Sequence, residues 1–189
     1  SDGTIDVQLV SSRDGRHWDR VGDRRPMLEL GAPGEWDSAT IETGNSLLTI
    51  GEEVRVYFTG TNRMHGGYTV NGEPEAMSIG MATWPRDRFV GLRAGAAGGD
   101  LSLARGDGGN RLHVNANAKG GSLVAEILQD GRPIPGFEAR DCIPLEADSL
   151  DHEVSWRQGS QLPAAAAGEA PVHISIKLEN AELFSLWWD

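Results

Sequence analysis

The chain has 189 residues, and 28 acidic against 17 basic side chains leave it with a formal charge of −11. Nucleic acid and anionic membrane surfaces reward clusters of Lys and Arg, so this balance argues against both as main partners. The single cysteine, Cys142, excludes an internal disulfide and a cysteine metal cluster, and is expected as a small buried side chain. The 25 glycines are spread through turns, the composition of an all-β protein with many hairpins. No apolar run approaches the roughly 18–20 residues of a spanning helix, and no signal peptide is read. The chain opens on Ser1, so a processed form or a fragment of a longer protein is expected.

In chain order, residues 5–11 alternate apolar and polar, the period of a half-buried strand. Asp14-Gly15 is a tight hairpin signal, since such turns demand positive φ, and Trp18 to Val21 is the expected return strand, opened by a buried Trp. A looser copy of this hairpin stands at Ile79 to Phe89: with Val7 set on Ile79, Trp18 falls one residue from the equivalent of Phe89. A recurring hairpin points to a repeat architecture. Residues 22–36 are rich in Gly, Pro and charge and read as a crossing loop. Strands are expected at 39–50, 54–60 (the strongest, dense in β-branched and aromatic residues), 77–83 and 89–92. The 61–76 segment between them reads as a long polar loop, of the length that is usually functional or flexible. Residues 37–93 thus form one four-stranded antiparallel sheet, and residues 5–21 the last two strands of the sheet before it.

Ala94 to Gly109 is a shift in composition with a short strand at Leu101-Ser-Leu103. Beyond it, 111–118, 122–128, 151–157, 172–178 and 182–188 are expected strands, with a turn at Asp130-Gly131. Leu162 to Ala170 reads as a surface loop or one helical turn. Short strands separated by turn signals give a β-sandwich. The expected fold is therefore all-β, a partial β-propeller of about one and a half blades at 1–93 followed by a jelly-roll-like β-sandwich at 94–189. A blade and a half leaves sheet surface uncovered, because each blade packs on its neighbours. Upstream blades, in cis or from another chain, are the expected partner.

The run Leu9…Ser12-Arg-Asp-Gly…Trp18, with Asp23-Arg-Arg-Pro26, Gly34-Glu-Trp-Asp-Ser38, Tyr57-Phe-Thr-Gly60, His65-Gly66 and Ile79-Gly-Met-Ala-Thr-Trp-Pro-Arg-Asp-Arg-Phe89, resembles the closing blades of five-bladed propeller proteins of the glycoside hydrolase family 32/43-like group. The second half is similar to the β-sandwich that follows such a propeller, through Gly109-Asn-Arg-Leu-His-Val-Asn-Ala116, Gly121-Ser-Leu-Val-Ala-Glu126, Asp130-Gly-Arg-Pro-Ile-Pro-Gly-Phe137, Asp141-Cys142, Asp148-Ser149, His152-Glu-Val-Ser-Trp156 and Ala181-Glu-Leu-Phe-Ser185. The resemblance implies a glycosidase or carbohydrate-binding parent, secreted or periplasmic. Its nucleophile, general acid and stabilising acid would lie on the first three blades, which this chain does not contain. The Ser12–Trp18 run also resembles a sialidase Asp-box, one residue short between Asp14 and Gly15, which implies a folding role for Asp14.

Candidate site residues follow from this placement. Glu42 and Asn45 stand on the strand expected to line the channel; Glu42 would bind sugar hydroxyls or act as an acid, or else pair with a neighbour. Trp36 would stack on a sugar ring or pack between blades, and Asp37 would bind hydroxyls or cap a turn. Asn62, Arg63 and His65 would hydrogen-bond a polyol, or remain solvated. Trp188, with Trp156 and Trp187, would offer an aromatic face to carbohydrate, since period-two alternation turns one of the adjacent pair outward; the other reading is core packing. His113, His152 and His173 are expected to be structural. No metal spacing is present and no cofactor is expected, although a propeller channel leaves room for a structural calcium.

Overall fold

The computed structural model describes residues 3–105, 108–162 and 172–189. These residues are all-β, with three short 3-10 turns and no α-helix among them, and hence no helix long and apolar enough to cross a membrane. Two units divide the chain, Ser1–Val90 and Gly91–Asp189.

In the first unit, β1 (Val7–Gln8) pairs with β4 (Pro26–Leu28), and β2 (Val10–Ser11) with β3 (Asp19–Arg20), all antiparallel. The expected crossing loop at 22–36 therefore contributes a strand. The hairpin turn is also wider than expected: residues 12–18 all lie in the loop between Ser11 and its partner Asp19. Trp18 belongs to that loop and is 59% exposed, so the expectation of a buried Trp at the head of the return strand is corrected. The looser copy shares the backbone event rather than the packing. Asp87, aligned with Gly15, has φ 60° against 70° for the glycine.

The main sheet of this unit is built on β7 (Glu53–Thr61). Along one edge it pairs with β5 (Thr40–Thr43) and then β6 (Leu48–Ile50), and along the other with β8 (Met77–Pro85). The expected 39–50 strand is thus broken at 44–47, where Gly44 N–H still bonds Tyr57 O at 2.8 Å before the chain bulges away. Ile5 adds a parallel bridge beyond β5. Alternation runs along β7 as far as Gly60: Val54, Val56, Phe58 and Gly60 are inside, with Glu53, Tyr57 and Thr59 exposed and Arg55 half-buried between them, and the terminal Thr61 is buried too. The expected fourth strand at 89–92 does not join this sheet. The chain turns at 85–88, with Arg88 N–H on Pro85 O, and Leu92–Ala94 (β9) belongs to the second unit, where it pairs with residues 181–183. Gly91 permits that path, because a Cβ there would stand 2.9 Å from Phe184 Cδ1.

The second unit has two four-stranded antiparallel sheets. One runs β10 (Gly99–Ala104), β15 (Val172–Glu179), β12 (Ser122–Gln129), β13 (Arg132–Pro133); the other runs β14 (Asp148–Glu153), β11 (Leu112–Asn117), β16 (Ala181–Trp188), β9. Both contribute to one buried cluster, with Leu123, Ala125, Ile127, Ile174 and Ile176 from the first and Leu112, Val114, Ala116 and Leu183 from the second. Each large aliphatic side chain so buried contributes about 1.5–3 kcal/mol of transfer free energy. The β12–β13 hairpin closes on Asp130 and Gly131, both at positive φ (52° and 72°), the conformation that Asp-Gly favours. Cys142 lies buried against this core as expected, and burial pushes its thiol pKa up. The expected loop at Leu162 to Ala170 falls, apart from Leu162, outside the described residues.

Trp156 anchors this core. It is 2% exposed, donates Nε1–H to Ala125 O at 3.1 Å and packs edge-on against Phe137 with ring centroids 5.1 Å apart. Trp156→Ala should cost about 3–5 kcal/mol, read as a lower denaturant midpoint with an unchanged slope; a loss near zero would show that the core does not depend on this ring.

Candidate functional site

The residues expected to form a carbohydrate site in the first unit gather around one end of β7. Trp36 stacks flat on Phe58, with centroids 5.8 Å apart and planes 10° apart. Two glycines make this possible. A Cβ on Gly60 would lie 2.5 Å from Trp36 Cζ3, and one on Gly80 would lie 2.3 Å from Phe58 Cζ. The Trp36 ring thus covers the inner face of the sheet. Asp37 turns back with it: its carboxylate fills the space beside Gly31, where a Cβ would meet Oδ1 at 2.0 Å, and its carbonyl accepts the Gly31 N–H at 3.2 Å. Both residues are half-buried in the fold of the 31–37 loop.

Asn62 is 3% exposed and is occupied inside the protein. Its Nδ2 donates to Pro74 O at 2.9 Å, its Oδ1 accepts the Ala76 N–H at 2.9 Å, and its backbone bonds Ala76 and Val70. These bonds close the base of the 62–76 loop. Arg63 donates from Nε to Gly67 O at 3.0 Å and lies 3.5 Å from Glu75, while Thr40 Oγ1 donates to its carbonyl. His65 is exposed at the tip, and its N–H bonds Gly3 O at 2.9 Å. Tyr68, which the sequence reading passed over, is 72% exposed on the same loop. Its flanking pattern, His-Gly-Gly-Tyr in a polar run, was the available signal.

Glu42 and Asn45 separate. Glu42 pairs across from Thr59 on the outward face of the sheet and is exposed. Asn45 lies in the bulge between β5 and β6. There it lines a cleft of about 240 Å³ walled by Val7, Leu28, Leu47, Val56 and Trp84. These walls are apolar, and Glu42 is not among them.

In the second unit Trp188 is half-buried and packs against the core, with the Arg105 guanidinium 4.7 Å above its ring. A bulge at Phe184 brings it there. Asn115 faces Ser185 but Ala116 faces Leu183, so the inward set switches from Ala181 and Leu183 to Leu186 and Trp188. Trp187 takes the opposite face and stacks on His113 at 5.4 Å. His113 in turn bonds Asp151 Oδ1 through Nδ1 at 2.6 Å and stands 3.4 Å from Asp189 through Nε2. An ionised carboxylate only accepts, so Nδ1 is the donor. This group ties β14, β11 and the end of β16 together. His152 lies one strand away, opposite Val114; burial lowers its pKa, with nearby His113 acting in the same direction. His173 is on the other sheet. Among the described residues no group of three or more His, Cys, Asp or Glu side chains is placed to hold a metal ion.

Asp14 organises the 12–18 loop. Its Oδ1 accepts the Arg16 and His17 N–H groups at 2.8 Å each, its Oδ2 meets His17 Nδ1 at 2.5 Å, and Ser12 Oγ accepts Gly15 N–H. The His17 backbone bond, then the His17 ring and the Arg16 N–H, hold its carboxyl far below the ordinary value of 3.8. Comparison of the chain with protein-family models, with curated proteins and with solved structures returned no match.

The depressed pKa gives a pH dependence of defined sign. Asp14 in the folded chain stays ionised where the unfolded chain protonates, so its contribution is present above pH 3.8 and fades as pH falls through the folded value. The stability difference between wild type and Asp14→Ala should therefore be constant above that pH and shrink below it in urea titrations. A difference independent of pH would show that the carboxylate does not act through its charge.

Proposed function

We propose that this chain is the closing portion of a carbohydrate-active propeller protein akin to the glycoside hydrolase 32/43-like group. Residues up to Val90 would complete the propeller, and the second unit would be its accessory β-sandwich. The observation that carries this reading is the one-sided burial of the first unit's sheet. Its inner face is covered by Trp36 and Phe58, while Leu48, Tyr57, Ile79 and Met81 project from the other face at 43%, 48%, 75% and 49% exposure. A sheet with apolar residues on both faces needs cover on both, and a neighbouring blade supplies that cover in a propeller. The carbohydrate part of the reading rests on the motif resemblance. The catalytic carboxylates would be carried by blades beyond this chain, since hydrolysis needs two of them across one sugar bond.

The alternative class, a non-catalytic carbohydrate-binding or scaffold module, draws some support from the exposed Tyr68 and His65 on an internally braced loop. It draws less from Trp36 and Trp188, whose rings are engaged in packing. Residues 1–189 should release no reducing sugar from a broad glycan panel, while a longer protein with upstream blades restored should release it from at least one member. Inactivity of the longer protein across the panel would overturn the hydrolase reading. Residues 1–90 alone should lack a cooperative thermal transition, whereas 91–189, which holds the large core, should melt cooperatively. A sharp transition in 1–90 would remove the argument from the uncovered face.

A further inference from the structure

The edge of β8 carries a second feature, independent of the propeller reading. Asn62 N–H bonds Ala76 O at 3.2 Å and Arg86 N–H bonds Glu52 O at 2.8 Å. Between these two bonds the register of β7 and β8 is unbroken, from Thr61 opposite Met77 to Glu53 opposite Pro85. Bonded and non-bonded pairs alternate in an antiparallel ladder, so the even-numbered residues of β8 (Ser78, Gly80, Ala82, Trp84) bond β7. The odd-numbered residues, Met77, Ile79, Met81 and Thr83, then turn their N–H and C=O groups away from it. Among the described residues β8 pairs with β7 alone. The same odd-numbered residues carry the exposed side chains, with Met77, Ile79 and Met81 at 63%, 75% and 49%.

Natural sheets blunt such an edge with Lys, inward charge, a bulge or proline. Residues 77–85 carry no charge, and their one proline, Pro85, stands at the strand end. In a chain of charge −11 this is a nine-residue stretch that can meet its own copy without opposing like charges.

We infer that β8 pairs edge to edge with β8 of a second copy of this chain, antiparallel about a two-fold axis at Met81. That register is self-complementary. Met81 faces the partner's Met81 as a bonded pair, and Ile79 and Thr83 each face the other, a β-branched cross-strand pair of the kind that stabilises sheets. It continues the ladder through outward groups only, leaving every β7–β8 bond intact.

Sedimentation velocity on the full chain, from micromolar to sub-millimolar concentration, should show a monomer–dimer equilibrium. Met81→Pro removes an outward N–H and none of the β7 bonds, so it should weaken association about tenfold or more, about 1.4 kcal/mol, with near-UV circular dichroism unchanged. Met81→Cys, on the axis, should give a disulfide-linked dimer under mild oxidation. Ile79→Cys should not, because its two copies lie about 13 Å apart along the strands; the native Cys142 is buried. A wild type that stays monomeric throughout, a dimer that survives Met81→Pro in a folded chain, or cross-linking at Ile79→Cys equal to that at Met81→Cys would each overturn the inference.

Discussion

A β-sheet has two faces and two edges, and each must be covered or made tolerable to water. The second unit meets this requirement within itself. Two four-stranded sheets turn their apolar faces to one cluster that runs from Leu112 on β11 to Ile176 on β15, and Trp156 fills that cluster with its one polar atom bonded to Ala125. The first unit meets it on one face only. Its strongest strand, β7, buries Val54, Val56 and Phe58 on one side and leaves Tyr57 to water on the other. The proposed function starts from this uncovered face, and the proposed self-association from an uncovered edge of the same sheet.

Close aromatic packing is what covers the buried face, and glycine is what permits it. Gly60 and Gly80 let Trp36 and Phe58 lie flat against the strands at distances no Cβ would tolerate. The consequence for function is direct. A ring with one face against Phe58 and an edge over backbone has much less left for a sugar than an exposed indole does. Asn62 follows the same logic in polar form, since its amide closes the base of a fifteen-residue loop and is spent in doing so. At the tip of that loop His65 and Tyr68 remain exposed.

The polar clusters of both units act locally. Asp14 gathers the N–H groups of its own loop and is held ionised by them. His113 draws together Asp151, Trp187 and Asp189 from strands that are neighbours in space but distant in sequence. The carboxylate of Asp14 was legible because its partners are two and three residues away. The His113 group was not, because nothing in the sequence states that β11 lies between β14 and β16.

From sequence alone the all-β class, the strands dense in β-branched residues, the Asp130-Gly131 turn and the structural role of Asp14 could be derived, because each depends on period-two alternation or on contacts within a few residues. Strand partners, and therefore faces, could not. The segment at 89–92 has strand composition in either setting, and its pairing with β16, which the absent Cβ of Gly91 permits, is not written in that composition. Alternation could say that Trp187 and Trp188 face opposite ways, but the bulge at Phe184 decided that Trp188 is the inward one. Glu42 stood out in the sequence as a carboxylate on a channel strand, and its placement opposite Thr59 on an exposed face came from pairing alone. Local periodicity fixes which residues share a face; which face is buried is a property of what packs against it, and that is decided only in three dimensions.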